Sequence, residues 1–336
     1  MPAPFRLSVL DQSPISQGST GVEALRNTVD LATLADELGY HRYWVAEHHG
    51  GTMLAGPSPE ALIGPIAAAT RRIRVGSGGV MLPHYSPLKV AETFSVLAGL
   101  FPGRIDLGIG RAAGTDAMTA FALQRDRRQA SPDDFPQQLA ELLGYLNDRL
   151  PDDFPFARLA KTLPGAPERP EPWLLGSSPQ SALWAAELGL PYAFADFINP
   201  QGAEIAALYR QRFAEHEHDG TRSRTAVAAW VLCADSDEEA RRLAASSRMT
   251  FTKLRRGELI AVPPPEEALA FLAADEGAGG RSPRRRAILG APERVRAELE
   301  SLVEEYGAEE AIIVTITYDH RARRRSYELL AEAFEL

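Results

Sequence analysis

The sequence predicts an α/β protein folded as a (β/α)8 TIM barrel, and three observations carry that expectation. Short β-type runs alternate with helical patterns across short connections, as a parallel sheet requires. Eight such runs can be counted, each followed by a helix. Helix–glycine–strand junctions recur at Leu38-Gly39-Tyr40, Leu188-Gly189-Leu190 and Tyr306-Gly307-Ala308. For a chain of 336 residues, one closed barrel of ~250 residues plus insertions fits better than two open sheets. Residues 1-336 are therefore read as a single barrel domain.

The elements follow in order. Phe5 to Leu10 is a short apolar run. Thr20-Gly21-Val22-Glu23 has capping-box spacing, Val22, Leu25, Val29, Ala32 and Leu38 follow at helical intervals, and Gly39 is the stop. Tyr43 to Ala46 is the second strand, and Ser58-Pro59 opens the next helix with serine as N-cap. Ile73 to Leu82 is a strand, Ser86-Pro87 opens a helix, and Arg104 to Ile109 is the fourth strand. A helix runs from Ser131-Pro132 to about Leu150. Trp173 to Leu175 is the fifth strand, and Ser178-Pro179 opens a helix ending at Gly189. Tyr192 to Ala195, Thr225 to Ala234 and Ala311 to Thr317 complete the strands. Ser236-x-x-Glu239 repeats the capping box, and a terminal helix reaches about Phe334.

Two insertions depart from the repeat. Between the fourth and fifth strands, Arg111 to Ser131 and Pro151 to Pro172 flank one helix. Between the seventh and eighth, Phe251 to Arg286 holds Pro263-Pro264-Pro265 and Arg284-Arg285-Arg286, the latter read as a solvated loop. Long connections in compact domains are usually functional.

Composition narrows the function. Apolar residues are 45% and charged residues 24%, ordinary globular values. Lys and Arg total 36 against 45 Asp and Glu, a net charge of -9, which argues against broad nucleic-acid binding. The single cysteine, Cys233, cannot form an internal disulfide and fits a reducing compartment. No apolar run reaches the ~18 residues of a membrane span. Met1 to Arg6 lacks the apolar core of a signal peptide, so a cytoplasmic protein without a membrane partner is expected.

Four places could carry chemistry. Asp106-Leu107-Gly108-Ile109-Gly110-Arg111-Ala112-Ala113 contains G-x-G-x-x-A after a strand, but on the fourth strand rather than in the first β-α-β unit of a dinucleotide fold. Close packing at a strand end, or room for a flat ligand beside Arg111, are the other readings. Ser177-Ser178-Pro179-Gln180-Ser181 puts Ser178 at N-cap, Pro179 at N1 and Ser181 at N3: an anion site at a helix start, or simply a cap. Glu47-His48-His49 ends the second strand, where adjacent residues face opposite ways, so one histidine is expected to face the barrel mouth. The pair is poorly spaced for a metal, and none is expected. Gly76-Ser77-Gly78-Gly79 marks either a barrel bend or a close approach of backbone to a ligand.

Taken in order along the chain, these motifs resemble the bacterial luciferase-like, flavin-dependent monooxygenase superfamily. The resemblance rests on Trp44 to His49, on Val75 to Pro83, on Phe101 to Arg111, and on Ser177 to Ser181 leading to Trp184-Ala185-Ala186-Glu187-Leu188-Gly189. Leu289 to Glu293 and Asp319-His320 to Phe334 look like the family's single-chain members. It implies FMN in the barrel mouth, with Arg111, Ser177, Ser178 and Ser181 on the flavin phosphate. Gly78 and Gly79 would hold a non-prolyl cis peptide behind the isoalloxazine ring. His48 would be the active-site histidine, and Trp230 a ring neighbour. The implied activity is a two-component monooxygenase: reduced FMN from a separate NAD(P)H:flavin reductase reacts with O2 to a C4a-peroxyflavin that oxidises a small organic substrate. A homodimer is implied as well, with Leu62, Ile66, Leu97 and Leu100 among the apolar positions available. Gly110 stands where luciferase proper has a reactive cysteine, and Ser177 where an acidic residue precedes the phosphate serine, which speaks against light emission. A deazaflavin-dependent dehydrogenase and a non-enzymatic flavin-binding protein are the competing functions.

Overall fold

A ring of parallel strands organises the molecule. The computed structural model describes residues 5–111, 116–124, 127–128, 134–216, 218, 220–277 and 286–336. Its strands are β1 (Arg6–Asp11), β2 (Arg42–Val45), β3 (Arg74–Met81), β4 (Ile105–Gly110), β5 (Glu171–Gly176), β6 (Tyr192–Ala195), β7 (Thr225–Cys233), β8 (Ala287–Gly290) and β9 (Glu310–Val314). Strands β1 to β7 pair in sequence, and β9 closes the ring between β7 and β1. Thus the expected eight-stranded barrel is present, with β8 outside the ring. That short strand pairs only with the end of β7, Trp230 to Cys233, from the residue at which the pairing of β7 with β9 stops.

The helices wrap the ring. They are α1 (Gly21–Leu38), α2 (Pro59–Ala69), α3 (Pro87–Leu100), α4 (Ala117–Leu123), α5 (Phe135–Asn147) and α6 (Pro179–Glu187) in the first part. There follow α7 (Ala203–Ala214), α8 (Asp237–Arg255), α9 (Pro265–Gly277), α10 (Pro292–Tyr306) and α11 (His320–Phe334). The capping box at α1 forms in full: Glu23 N–H donates to the Thr20 hydroxyl at 3.2 Å and Thr20 N–H to the Glu23 carboxylate at 3.0 Å. Gly39 closes α1 at φ 92°, a conformation that costs glycine little. Ser58 and Ser86 stand at N-cap positions but make no side-chain cap bond; the prolines behind them start α2 and α3.

The insertions are more ordered than their composition suggests. The segment Phe251 to Arg286 is not a plain loop: α8 continues through Phe251 to Arg255, and α9 fills much of the rest. After α8 the chain reaches the segment that follows β1, where Val262 exchanges backbone hydrogen bonds with Ile15 and Gln17 at 2.8 Å. Arg284 and Arg285 lie outside the described residues, as do Ser131 and Pro132. Arg286 pairs with Glu305 at 2.6 Å.

Two apolar layers result from strand alternation. Leu10, Trp44, Trp173, Ala193, Ala228 and Ile312 fill the barrel, while residues such as Val9, Tyr43, Val45, Leu174, Val227 and Ile313 pack outward against the helices. Ile66 and Leu97 belong to that outer core, so they cannot serve the dimer contact for which the sequence nominated them; Leu100 is exposed and Leu62 half-buried.

The floor of the barrel is ionic. Arg42, only 1% exposed, lies within 4.5 Å of the Trp173 ring centroid and 5.3 Å of that of Trp44. Its guanidinium donates to Glu310 at 2.6 Å and Asp106 at 2.7 Å. Arg74 and the Trp44 indole also donate to Asp106, and Arg224 pairs with Glu171 at 2.6 Å. Burial would raise the Glu171 pKa, but Arg224, Arg74 and Arg42 together hold it at about 2. Removing one partner of such a buried set strands the other charges, so Arg42→Ala should cost ~3–5 kcal/mol. Urea unfolding showing a loss below ~1 kcal/mol, the size of an exposed pair, would contradict that role.

Candidate active site

The carboxyl ends of the strands gather most of the residues nominated above. Strand β2 stops at Val45, so Glu47, His48 and His49 lie in the chain just past it rather than within the strand. The inward alternation of Trp44 and Ala46 is nonetheless continued by His48. Its backbone N–H donates to Gly56 O at 3.0 Å, and its Nδ1 is shielded without a partner. His48 keeps a little surface, yet protein atoms crowd it closely. Desolvation, then the nearby His49, lower its pKa to about 4, so it does not titrate near the ordinary 6.5 that its sequence context suggests. His48 is therefore neutral at pH 7. His49 is held differently, its ring nitrogen 2.8 Å from the Glu47 carboxylate.

The glycines of β3 let backbone press against backbone. A Cβ on Gly78 would lie 2.6 Å from Leu10 and 2.9 Å from Trp44; one on Gly79 would lie 2.9 Å from Gly108 O. The Gly78–Gly79 peptide is cis, as the resemblance implies, and the pairing with β4 shifts register between Ser77 and Val80. Gly108 and Gly110 face them from β4, so this wall is backbone rather than side chain, and the places where side chains would stand are already taken by neighbouring protein atoms.

The next wall is polar. Arg111 follows β4 directly, exposed, with its guanidinium 5.6 Å from the Trp184 ring of α6. Structure therefore brings Arg111 to the helix that Ser177, Ser178 and Ser181 open. Ser178 is the N-cap, accepting the Ser181 N–H at 3.4 Å, and it is exposed at the mouth. Ser181 turns inward instead: its hydroxyl donates to Ser178 O at 2.9 Å and lies 2.9 Å from the Tyr192 hydroxyl. Gly176 makes this possible, since a Cβ there would collide with Ser181 Oγ. Ser177 O accepts from the Asn199 side chain at 3.1 Å. Ala112 and Ala113 of the G-x-G-x-x-A run lie outside the described residues, and α4 begins at Ala117 after its N-cap Asp116.

On the far side, Trp230 is 8% exposed, with Phe251 at 4.9 Å and Phe197 at 5.5 Å between ring centroids. Its indole Nε1 is buried without a partner. Gln12 adds a second such atom past β1, Oε1. Sequence reasoning missed Glu47, Gln12, Asn199, Phe197 and Phe251, whose importance comes from neighbours distant in the chain. Glu47 did lie inside the quoted motif, and a buried carboxylate beside a histidine was its available signal. Among the described residues, no group of three or more His, Cys, Asp or Glu could hold a metal. Cys233 is buried and its thiol is pushed up to about 12, which leaves it inert. Among the described residues no helix is long and apolar enough to cross a membrane.

A closed parallel barrel with its polar side chains gathered at the carboxyl ends of the strands has the layout of a barrel enzyme. The chain belongs to the luciferase-like monooxygenases, whose family model matches residues 5–310. It is 41% identical over 98% of its length to an Escherichia coli (strain K12) protein described as a luciferase-like monooxygenase, covering 96% of that protein. It is 39% identical to the N-acetyl-S-alkylcysteine monooxygenase of Bacillus subtilis, with 98% of each chain covered. The crystal structure of apo-MsnO8 superposes with a TM-score of 0.88 at 43% identity, covering 99% of this chain and 98% of that one. The protein is thus an oxygenase enzyme, and the non-enzymatic reading falls away.

The state of His48 has a consequence for pH. In the unfolded chain it takes a proton near 6.5, whereas the folded protein refuses one until about 4. The unfolded state therefore binds more protons between those values, and His48 lowers stability as pH falls from 6.5 toward 4. His41, lowered to about 4 chiefly by burial, acts in the same direction. An NMR titration should place the His48 ring near pH 4; a midpoint at or above 6.5 would show that its surroundings are wet.

Proposed function

We propose that the enzyme binds reduced FMN in this mouth and uses it with O2 to oxidise a small organic substrate, the FMN being supplied by a separate NAD(P)H:flavin reductase. The observation that carries this reading is the convergence, around one opening, of a wall without side chains, an arginine beside a helix start, and polar atoms lacking partners. Each part fits a piece of the flavin. Gly78 and Gly79 offer bare backbone, rather than side chains, to a flat ring. Arg111 and the first turn of α6, with Ser177 and Ser178, offer charge, N–H groups and hydroxyls to a phosphate. Ser181 contributes through the shape of that turn, since its hydroxyl is already used inside the wall. The Trp230 indole and the His48 imidazole supply a donor and a base toward the ring and the substrate. Reduced flavin supplies the electrons that activate O2. What the chain adds is orientation, exclusion of water by Trp230, Phe197 and Phe251, and a proton acceptor at His48 that stays neutral at working pH. The cytoplasm, where NAD(P)H-linked reductases operate, is the compartment this division of labour needs.

Titration with photoreduced FMN under anaerobic conditions tests the reading directly. Arg111→Ala should weaken binding by ~1.5–3 kcal/mol, the range of a charge-assisted hydrogen bond, and Ser178→Ala by ~1 kcal/mol. Unchanged affinity in Arg111→Ala would remove the phosphate assignment, and preferential binding of a deazaflavin would replace the cofactor. His48→Ala should keep FMN affinity within about tenfold yet lower product formation by ~10²-fold. Near-normal turnover would move the base elsewhere in the mouth.

A homodimer belongs to the same reading. Val22, Leu25, Val29 and Leu62 line an apolar groove of about 550 Å³ between α1 and α2, and Val22 is 57% exposed. A second copy seated there would cover apolar surface that water otherwise meets. Sedimentation of the native protein at micromolar concentration should show a dimer, and Leu62→Arg should shift it to monomer; a monomeric native protein would exclude the assembly.

A further inference from the structure

Glu47 is an ionisable side chain at the mouth that the flavin reading leaves without a role. It is wholly buried. By alternation it continues the outward-facing set of Tyr43 and Val45, so it faces the shell around the barrel rather than the ligand space. One carboxylate oxygen lies 2.8 Å from the His49 ring nitrogen. The other accepts the backbone N–H of Met81 at 2.9 Å, and the Tyr85 hydroxyl also donates to the group. Glu60, from the first turn of α2, faces the same cluster with one oxygen buried and unpartnered; burial, then the Glu47 charge, raise its pKa. His84 completes the surroundings, its ring edge-on to His49 at 5.7 Å.

These partners sit at informative places. Met81 ends β3 two residues past Gly79, and His49 directly follows His48. One buried carboxylate therefore ties the histidine side of the mouth to the glycine side. A buried charge is costly unless its hydrogen bonds are satisfied, and here His49 from its own segment and Met81 and Tyr85 from the end of β3 and just beyond converge on it. We propose that Glu47 is a positioning residue: its carboxylate sets the spacing between His48 and the Gly78–Gly79 wall, and so the geometry in which a flavin held between them meets the imidazole. The inference rests on the flavin reading for its consequence, though not for the linkage itself. Glutamine would keep one acceptor oxygen for Met81 while replacing the other oxygen with an NH2 group and removing the charge. Aspartate would keep the charge and draw it back by one methylene, away from the β3 peptide.

The test uses the full chain carrying Glu47→Ala, Glu47→Asp or Glu47→Gln, and two readouts. Hydrogen exchange of the Met81 amide, measured without flavin, should quicken by about tenfold in Glu47→Ala and Glu47→Asp, the effect of losing one hydrogen bond, and by no more than about threefold in Glu47→Gln. The induced visible circular dichroism of oxidised FMN, read at saturation, should change in the first two variants and return toward the wild-type band in Glu47→Gln. A role in bulk stability alone would leave the band of the saturated, folded fraction unmoved. Native exchange at Met81 together with an unaltered band in Glu47→Ala would overturn the proposal; if that variant does not fold, the same result in Glu47→Asp would do so. Should wild-type protein bind no FMN, the flavin reading fails, while the Met81 measurement still decides whether Glu47 holds the two sides together.

Discussion

A guanidinium buried at the floor of the barrel sets the terms for everything above it. Arg42 sits between two tryptophan rings and donates to carboxylates from β4 and β9, so strands on opposite sides of the ring meet through one side chain. Such a cluster is stable only when complete, because each ion loses its hydration on burial. It closes the lower end of the barrel together with Trp44 and Trp173, whose rings meet edge to face with centroids 5.5 Å apart. The interior can then open only upward, at the carboxyl ends of the strands, where the fold places its chemistry.

The upper half obeys the opposite rule. Below, the axis is filled with large side chains; above, β3 and β4 carry glycine wherever a side chain would enter. These glycines are needed because neighbouring backbone already occupies the positions their side chains would take, as at Gly79 against Gly108. The same economy of space holds at Gly176, whose lack of a Cβ lets Ser181 turn in toward Tyr192 and shape the first turn of α6. What reaches the opening is consequently uneven. One wall is backbone, the next is Arg111 with the helix start, and the far side is the aromatic group around Trp230.

Burial differentiates the two histidines more than their sequence does. His48 is crowded and poor in partners, which keeps the imidazole uncharged at neutral pH and leaves a lone pair to offer. His49 turns to a buried carboxylate that is also bonded to β3. The chain from Phe251 onward acts at the same opening, since Phe251, near the end of α8, lies against Trp230 and Val262 joins the chain past β1. A stretch that looks like punctuation, rich in proline and glycine, thus helps enclose the site.

Local information was enough for the barrel and for the motifs. Periodicity, glycine stops and the threonine and serine caps at Thr20, Ser178 and Ser236 depend on residues a few positions apart, and these elements stand close to where spacing put them. Ser58 and Ser86 also stand where the Ser-Pro pairs put them, although neither side chain caps its helix and the prolines alone suffice to start it. Strand β8 and helix α9 escaped notice: the first is four residues long and held by its pairing to β7, and the second lies among proline and glycine signals that suggest loop. Tertiary structure alone decided that Ile66 and Leu97 are core, that Ser181 points inward, and that His48 loses its ordinary titration. It also decided that Glu47 bridges β2 to β3. Each of these depends on desolvation or on a partner more than ten residues away, and neither is encoded in the spacing of neighbours along a chain.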